Sequence, residues 1–392
     1  MNITDIDAIR ADTPACEALI HFNNAGASLM PLPVQKAVAE HLDLEANIGG
    51  YEAEHRAQND LQSFYTEFAT LLNASADEIA YVENATRAWD MAFYALPLKD
   101  GDRILTHESE YVSNYLALLQ QAKRRNLHID LIPSDEHGQI DVTKISDLVT
   151  DKTKLIAVTH VPTQGGLVNP VREIGNVAKE HGLIYLIDAC QSTGQIALDV
   201  RELQCDVLTG TGRKYLRGPR GTGFLYVRKD FLNELDPPFI DLHSANWISD
   251  DQFEFISGTR RFENWESFVA GRVGLMQAVR YTNAIGVAQI ESRVSSLAQK
   301  LRDQLSVIKE VAVHDRGLHK CGIVTLTKKS VPSESMADQL RAIGINISVS
   351  SFSSARIDFS RRKLESLARA SLHYFNTEDE ISRFVEAVDA LK

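Results

Sequence analysis

The chain has 392 residues, 44% of them hydrophobic and 24% charged, a composition that suits a globular protein of about two domains and excludes collagen-like, low-complexity or disordered chains. Its 41 basic and 53 acidic residues leave a net charge of −12, which disfavours general nucleic-acid binding because an acidic surface repels phosphate backbones. Cys16, Cys190, Cys205 and Cys321 make no CxxC pair, acids stand where a signal peptide needs a basic start, and no run reaches the ~18 apolar residues of a membrane helix. The expectation is a reducing, cytoplasmic protein with no metal, no membrane contact and no nucleic acid.

In chain order, helical periodicity covers residues 61–72. A short apolar strand at 103–106 follows the turn Asp100-Gly101-Asp102, and 115–125 is helix-like. Strand-like residues 129–132 end at Pro133. Residues 154–160 and 183–188 read as buried strands on either side of an amphipathic helix at 171–181, with Gly182 as its C-cap. A further strand at 223–227 closes this series. Strands alternating with helices predict βαβ units and a mainly parallel, doubly wound sheet, so the class is α/β. Ligands of such sheets sit at the carboxyl ends of strands, where Asp188 and His160 fall. After Pro237-Pro238 come helices at 265–285 and 287–306, strands at 322–327 and 345–349, and a last helix at 377–391 capped by Thr377. This half predicts a smaller α+β unit; the boundaries drawn are 20–258 for the large domain, and 1–19 with 259–392 for the small one.

The strongest local signal is the segment from Thr209 to Gly223, TGTGRKYLRGPRGTG. It fails both the dinucleotide fingerprint and the Walker A pattern. Lys214, crowded by Arg213, Arg217 and Arg220, should have a lowered pKa and could form a Schiff base. A solvated basic loop is the plainer alternative. The second signal is Asp188 at the end of a buried strand, where a carboxylate needs a partner such as a protonated pyridine nitrogen, a helix N-cap or an ion pair.

Together, Asp188-x-x-Gln191, Thr211-Gly-Arg-Lys214 and Gly218-Pro-x-Gly221-x-Gly223 resemble the class V aminotransferase family, pyridoxal-phosphate (PLP) enzymes of fold type I. Phe22-Asn-Asn-Ala-Gly26, Asn84-Ala-Thr86, the stretch from His160 to Gly166 with Asn169-Pro170, Gly258-Thr259, and Arg369-Ala-Ser371 with Tyr374 to Thr377 resemble further family segments in the same order. The resemblance implies a homodimer with its active site at the subunit interface. It implies Lys214 as Schiff-base lysine, Asp188 as partner of the ring nitrogen and Gln191 as partner of the ring hydroxyl. It also implies phosphate binding by Ala85, Thr86 and Thr211, with Thr259 reaching the neighbouring subunit's phosphate, and places Arg213 in the cofactor site where desulfurases carry histidine. Arg369 is the implied substrate-carboxylate clamp, and Asn24 joins the substrate site.

Departures from the family bear on the reaction. Tyr111 stands where desulfurases stack a histidine on the ring, and Thr163 replaces a ring-facing asparagine. Residues 350–354, SSFSS, hold no cysteine where desulfurases carry the catalytic one. Serine cannot form a persulfide. The sequence therefore places transamination first, C–S β-elimination second (cysteine or sulfoxide lyase, selenocysteine lyase-like) and epimerisation third. Rivals are a non-catalytic binding protein and a desulfurase using Cys321. Cys190 and Cys205 are expected to pack inside interior strands, His160 to make a structural hydrogen bond, and Phe22, Tyr111, Arg260 and Trp247 to surround the substrate. Arg260, Arg261 and Glu263 fit either a substrate contact or an interface network, and Trp247 and Trp265 fit an interface or the core.

Overall fold

Short runs of Ile, Leu, Val and Tyr form seven strands: β1 (Ile79–Val82), β2 (Arg103–His107), β3 (His128–Ile132), β4 (Thr153–Thr159), β5 (Ile184–Asp188), β6 (Val207–Thr211) and β7 (Gly223–Val227). The computed structural model describes residue 3 and residues 5–392. The strand order is β1-β7-β6-β5-β4-β2-β3. Only β7 runs against its neighbours; the other pairs are parallel. A parallel sheet is covered on both faces, so its strands need apolar residues on both sides. Accordingly Ile156 and Val158 pack in one core layer, and Leu155 and Ala157 in the other.

Helices α1 (Leu32–Ile48) and α2 (Gln58–Leu72) precede β1, and α3 (Ala85–Ala95) follows it. Then come α4 (Val112–Arg125), α5 (Val171–Glu180), α6 (Val269–Ile285) and α7 (Val287–Ser306). Phe64 and Phe68 of α2 and Ile174 of α5 fill the first layer, while Trp89 and Phe93 of α3 and Leu118 of α4 fill the second. A β-hairpin, β8 (Ala245–Ser249) and β9 (Gln252–Phe255), stands apart from both sheets. A second, antiparallel sheet has the order β10 (Val311–Val313), β11 (Ile323–Lys328), β13 (Ser366–Ser371), β12 (Ser348–Ser351). Helix α8 (Glu378–Ala390) packs on it through Ile381, Phe384 and Val388.

The α/β class and the parallel sheet match the expectation from the sequence. The strand expected at 345–349 divides: Ile345–Asn346 pairs in parallel with Ile20–His21, and the chain then enters the second sheet as β12. The helix expected from residue 265 begins at Val269, because the Trp265 amide donates to Asp241 Oδ2 at 2.7 Å and holds that stretch against the loop. Strands β1, β6 and β13 and the hairpin carry little periodicity of their own, and α1 is only weakly amphipathic. None of them was expected.

Candidate active site

The carboxyl ends of β4, β5 and β6 and the start of α3 meet around a cavity of about 230 Å³. Ala85, Thr86, Tyr111, Thr163, Asp188, Gln191, Thr211, Arg213 and Lys214 line it, so nine residues singled out in the sequence converge in space. Asn84, Asn114, Thr159, Val161 and Cys190 complete the wall.

Local folding explains each placement. Asn84 caps α3 by accepting the Arg87 amide at 2.9 Å, which leaves the first N–H groups of an eleven-residue helix free to attract an anion. Gly223 lets this turn lie close to β6 and β7: a Cβ there would stand 2.8 Å from the Gly210 carbonyl oxygen and 2.9 Å from the Asn84 carbonyl carbon. Asp188 ends β5, its Oδ1 accepting the Cys190 amide at 2.8 Å and its Oδ2 the Asn114 side chain at 2.7 Å. Each carboxylate oxygen retains a second lone pair. Burial raises the Asp188 pKa, against these hydrogen bonds and the charge of Lys214.

Lys214 is buried, and burial is the main reason its pKa is lowered; Arg213 and Arg369 add to this, while Cys190 and Asp188 oppose it. The expected crowding by three arginines holds only for Arg213. Arg220 is exposed, and Arg217 points away, donating to Leu29 O, Tyr374 Oη and Thr13 Oγ1 at 2.8, 2.9 and 2.6 Å. Arg213 itself donates to the Gly26 carbonyl.

Arg369, on β13, borders the cavity: its Nη1 donates to Thr163 O at 2.8 Å and Oγ1 at 2.7 Å, while its buried Nε has no partner. Thr163 Oγ1 also lies 3.4 Å from Gln191 Nε2, and Gln191 Oε1 is buried and unpartnered. Thr163 thus connects the guanidinium to the residues around the cavity floor.

Several expectations require correction. The Asn24 side chain is engaged by its own chain, donating to His21 O and Ser371 O and accepting from Ser28 Oγ, and it does not line the cavity. Thr259 lies outside the cavity, fully buried with an unpartnered hydroxyl. Cys190 is not in a strand; it follows β5 and lines the cavity, and burial pushes its thiol up to about 11. Cys205 is buried ahead of β6. Cys321 is buried outside the cavity, and burial pushes its thiol up to about 12. His160 is bonded through its backbone, but its buried ring Nδ1 has no partner.

Of the four residues expected around a substrate, only Tyr111 lines the cavity. Phe22 packs on Phe384, Trp247 is 80% exposed on the hairpin, and Arg260 lies 3.6 Å over the Tyr65 ring. Glu263 accepts from Tyr65 Oη at 2.8 Å and the Tyr81 amide at 2.8 Å and pairs with Arg272 at 3.6 Å, so it belongs to a network within the chain. Sequence reasoning missed Glu110 and Asn114, although their i, i+4 spacing at the start of α4 was visible.

The cavity fits PLP on its own chemistry. A buried carboxylate that can accept from a ring N–H, a buried amine, the orphaned Gln191 Oε1 and free helix N–H groups beside Thr211 and Arg213 match its nitrogen, aldehyde, hydroxyl and phosphate. Among the described residues no cluster suits a metal ion.

The fold and this cavity define a PLP-dependent enzyme of fold type I. The family model for aminotransferase class-V matches residues 20–384, and the chain belongs to that family. It is 29% identical to a probable cysteine desulfurase of Methanothermobacter thermautotrophicus, covering 98% of this chain and 97% of the relative. Among solved structures, the apo cysteine desulfurase of Thermococcus onnurineus NA1 superposes with a TM-score of 0.90 at 27% identity, over 98% of this chain and 97% of that one. A C-DES mutant with glycine covalently linked to the PLP cofactor shares the fold at a TM-score of 0.87 and 21% identity, covering 98% and 99%.

Proposed function

We propose that this enzyme cleaves the Cβ–S bond of a cysteine-type amino acid without passing sulfur to a protein thiol. The order of the expectations drawn from the sequence therefore reverses. Relatives aligned over nearly the whole chain carry the name cysteine desulfurase, and they favour carbon–sulfur cleavage over transamination. The observation that carries the rest is the thiol inventory around the cavity. Ser350 Oγ donates to Thr163 O at 3.3 Å, so the loop where desulfurases hold their cysteine reaches the site with a serine. The only cavity thiol, Cys190, is held protonated by burial. A thiolate is needed to accept sulfur, and burial disfavours that form of Cys190.

When bound, PLP supplies the electron sink that acidifies the substrate Cα proton and lets a β-substituent depart. The Lys214 amine anchors the cofactor and moves the Cα proton, a task suited to an amine that burial keeps less protonated. Asp188 holds a proton on the ring nitrogen, and Gln191 Oε1 accepts from the ring hydroxyl. The Ala85 and Thr86 amides, Thr211 and Arg213 bind the phosphate. Arg369, whose Nε is unused, clamps the substrate carboxylate through a planar guanidinium. Tyr111 covers the ring and keeps water from it. The released sulfur species leaves through solvent, with pyruvate and ammonia as carbon and nitrogen products.

Product analysis tests this reading. L-cysteine, L-cystine or a cysteine sulfoxide should yield pyruvate, ammonia and the sulfur species with no added 2-oxo acid. Amino-group transfer that requires a 2-oxo acid, or isomer inversion alone, overturns it.

The enzyme is further read as a homodimer in the reducing cytoplasm. Phe239, Ile240, Leu242, Trp247, Phe253 and Trp265 are all exposed between residues 239 and 265, and clustered exposed apolar residues mark interaction surfaces. This stretch adjoins the cavity mouth, since Arg87 lies 4.8 Å over Phe239 and Asn264 donates to Glu83 at 3.0 Å. All four cysteines are free, and no helix among the described residues is long and apolar enough to cross a membrane.

A further inference from the structure

Behind Asp188 stands a second buried acid. Asn114 Nδ2 donates both to Asp188 Oδ2, at 2.7 Å, and to Glu110 Oε1, at 2.9 Å. Glu110 Oε1 also accepts the Tyr111 amide at 2.8 Å and the Thr159 hydroxyl, whereas Glu110 Oε2 is buried with no partner. One amide thus bridges two carboxyl groups, and three elements fix the bridge: the start of α4, the end of β4 and the end of β5. Thr159 and Asp188 are register partners across β4 and β5, which sets their side chains at one level.

We propose that Glu110 is a positioning residue which, through the Asn114 amide, holds the Asp188 carboxylate toward the cofactor's ring nitrogen. The proposal rests on the reading of Asp188 as partner of that nitrogen.

The charges around Glu110 support it. Asp188 is the charged group that bears on it; Glu108, on the same loop, is turned outward to Arg316 and Arg361, and His107 is engaged by Ser109 and Ser134. His160, next to Thr159, is kept neutral by burial, its pKa lowered to about 4. No cation compensates Glu110. Two neighbouring buried carboxylates without one do not both ionise. Burial pushes Glu110 up to about 7, so of the two acids it is the one expected to take up a proton as pH falls through neutrality, while Asp188 faces Lys214. The unpartnered Oε2 is the oxygen free to hold that proton. The Asn114 amide keeps both acids from rotating, so Asp188 cannot turn away when the cofactor leaves.

The test uses purified holoenzyme of wild type, Glu110→Gln, Asn114→Ala and Asp188→Asn, checked for folding by circular dichroism. The readouts are the absorption band of bound PLP from about pH 5 to about pH 9, and the PLP dissociation constant of the apoproteins. Wild type should show a spectral step near neutrality. Glu110→Gln, which keeps a neutral group and the amide bridge, should lose that step and retain the low-pH band at all values. Asn114→Ala should weaken PLP binding about tenfold and move the band toward that of Asp188→Asn. A Glu110→Gln profile identical to wild type, with Asp188→Asn altered, overturns the proposal. If Glu110→Gln does not fold, wild-type affinity and band in Asn114→Ala overturn it equally. An Asp188→Asn protein with the wild-type spectrum and affinity would instead show that the ring-nitrogen reading itself is wrong.

Discussion

At Lys214, a buried amine between one acid and two guanidinium groups, cofactor capture should follow the neutral fraction. The rate at which apoprotein takes up PLP is expected to rise with pH, with a midpoint below the ordinary lysine value of 10.5. Stopped-flow absorbance reads it. Lys214→Ala should still bind PLP but lose all borohydride-fixed attachment, detectable by mass spectrometry. Glu110 gives a prediction of opposite sign. Its folded pKa of about 7 exceeds its ordinary 4.5, so between those values the folded state holds more protons than the unfolded one. Apoprotein stability should therefore fall as pH rises through that window, by about 3 kcal/mol at most from this group. Glu110→Gln should remove this share of the slope, measured by denaturant unfolding at a series of pH values. Asp188 was legible in the sequence because it ends a continuous apolar strand, whereas Gln191, Thr211 and Lys214 were legible through motifs that resemble the family's. Glu110 and Asn114 were not, since their significance is a shared hydrogen bond that no spacing announces. Asn24 and Thr259 show the limit of such motifs, since a polar residue in a family-like segment can be engaged by its own chain, as Asn24 is, or buried away from the cavity, as Thr259 is.

Among the elements, β4 and β5 read clearly because burial on both faces demands continuous apolar runs. Strand β6, with sequence VLTGT, hid its role: Gly210 has no side chain because Phe224 occupies that space, with its ring 2.3 Å from where a Cβ would sit. Such a glycine looks like loop flexibility in one dimension and is close packing in three. Gly223 is the sharper case. Gly223→Ala should push the start of α3 away from β6, costing about 1–3 kcal/mol of stability. Because α3 supplies the phosphate amides, the same change should weaken PLP binding, and calorimetric titration beside thermal unfolding would show both. The hairpin β8–β9 escaped notice because its apolar residues face outward, contrary to the pattern by which strands are found.

For the whole molecule, the exposed stretch at 239–265 makes the association state measurable. Trp247→Glu and Phe253→Glu together should shift the protein toward monomer in sedimentation at micromolar concentration, while the 80% and 50% exposure of these side chains predicts little change in monomer stability. Arg217 acts at the same scale from the inside. It is 1% exposed and ties residues 13 and 29 to Tyr374, with Phe375 4.6 Å beneath its guanidinium. Arg217→Ala should cost about 3 kcal/mol, since three acceptors lose a charged donor at once. Its thermal midpoint should drop without change in the products formed.

That knot has a bearing on biosynthesis. The stretch carrying Lys214 is gripped from both extremities: Ser28 N donates to Arg213 O, His373 Nε2 meets Tyr215 O at 3.0 Å, and Arg217 reaches Thr13 and Tyr374. During synthesis the stretch that carries Lys214 is expected to reach this hold only after residues 373 and 374 have been made. Firm capture of the vitamin should therefore follow, and not precede, synthesis of that segment.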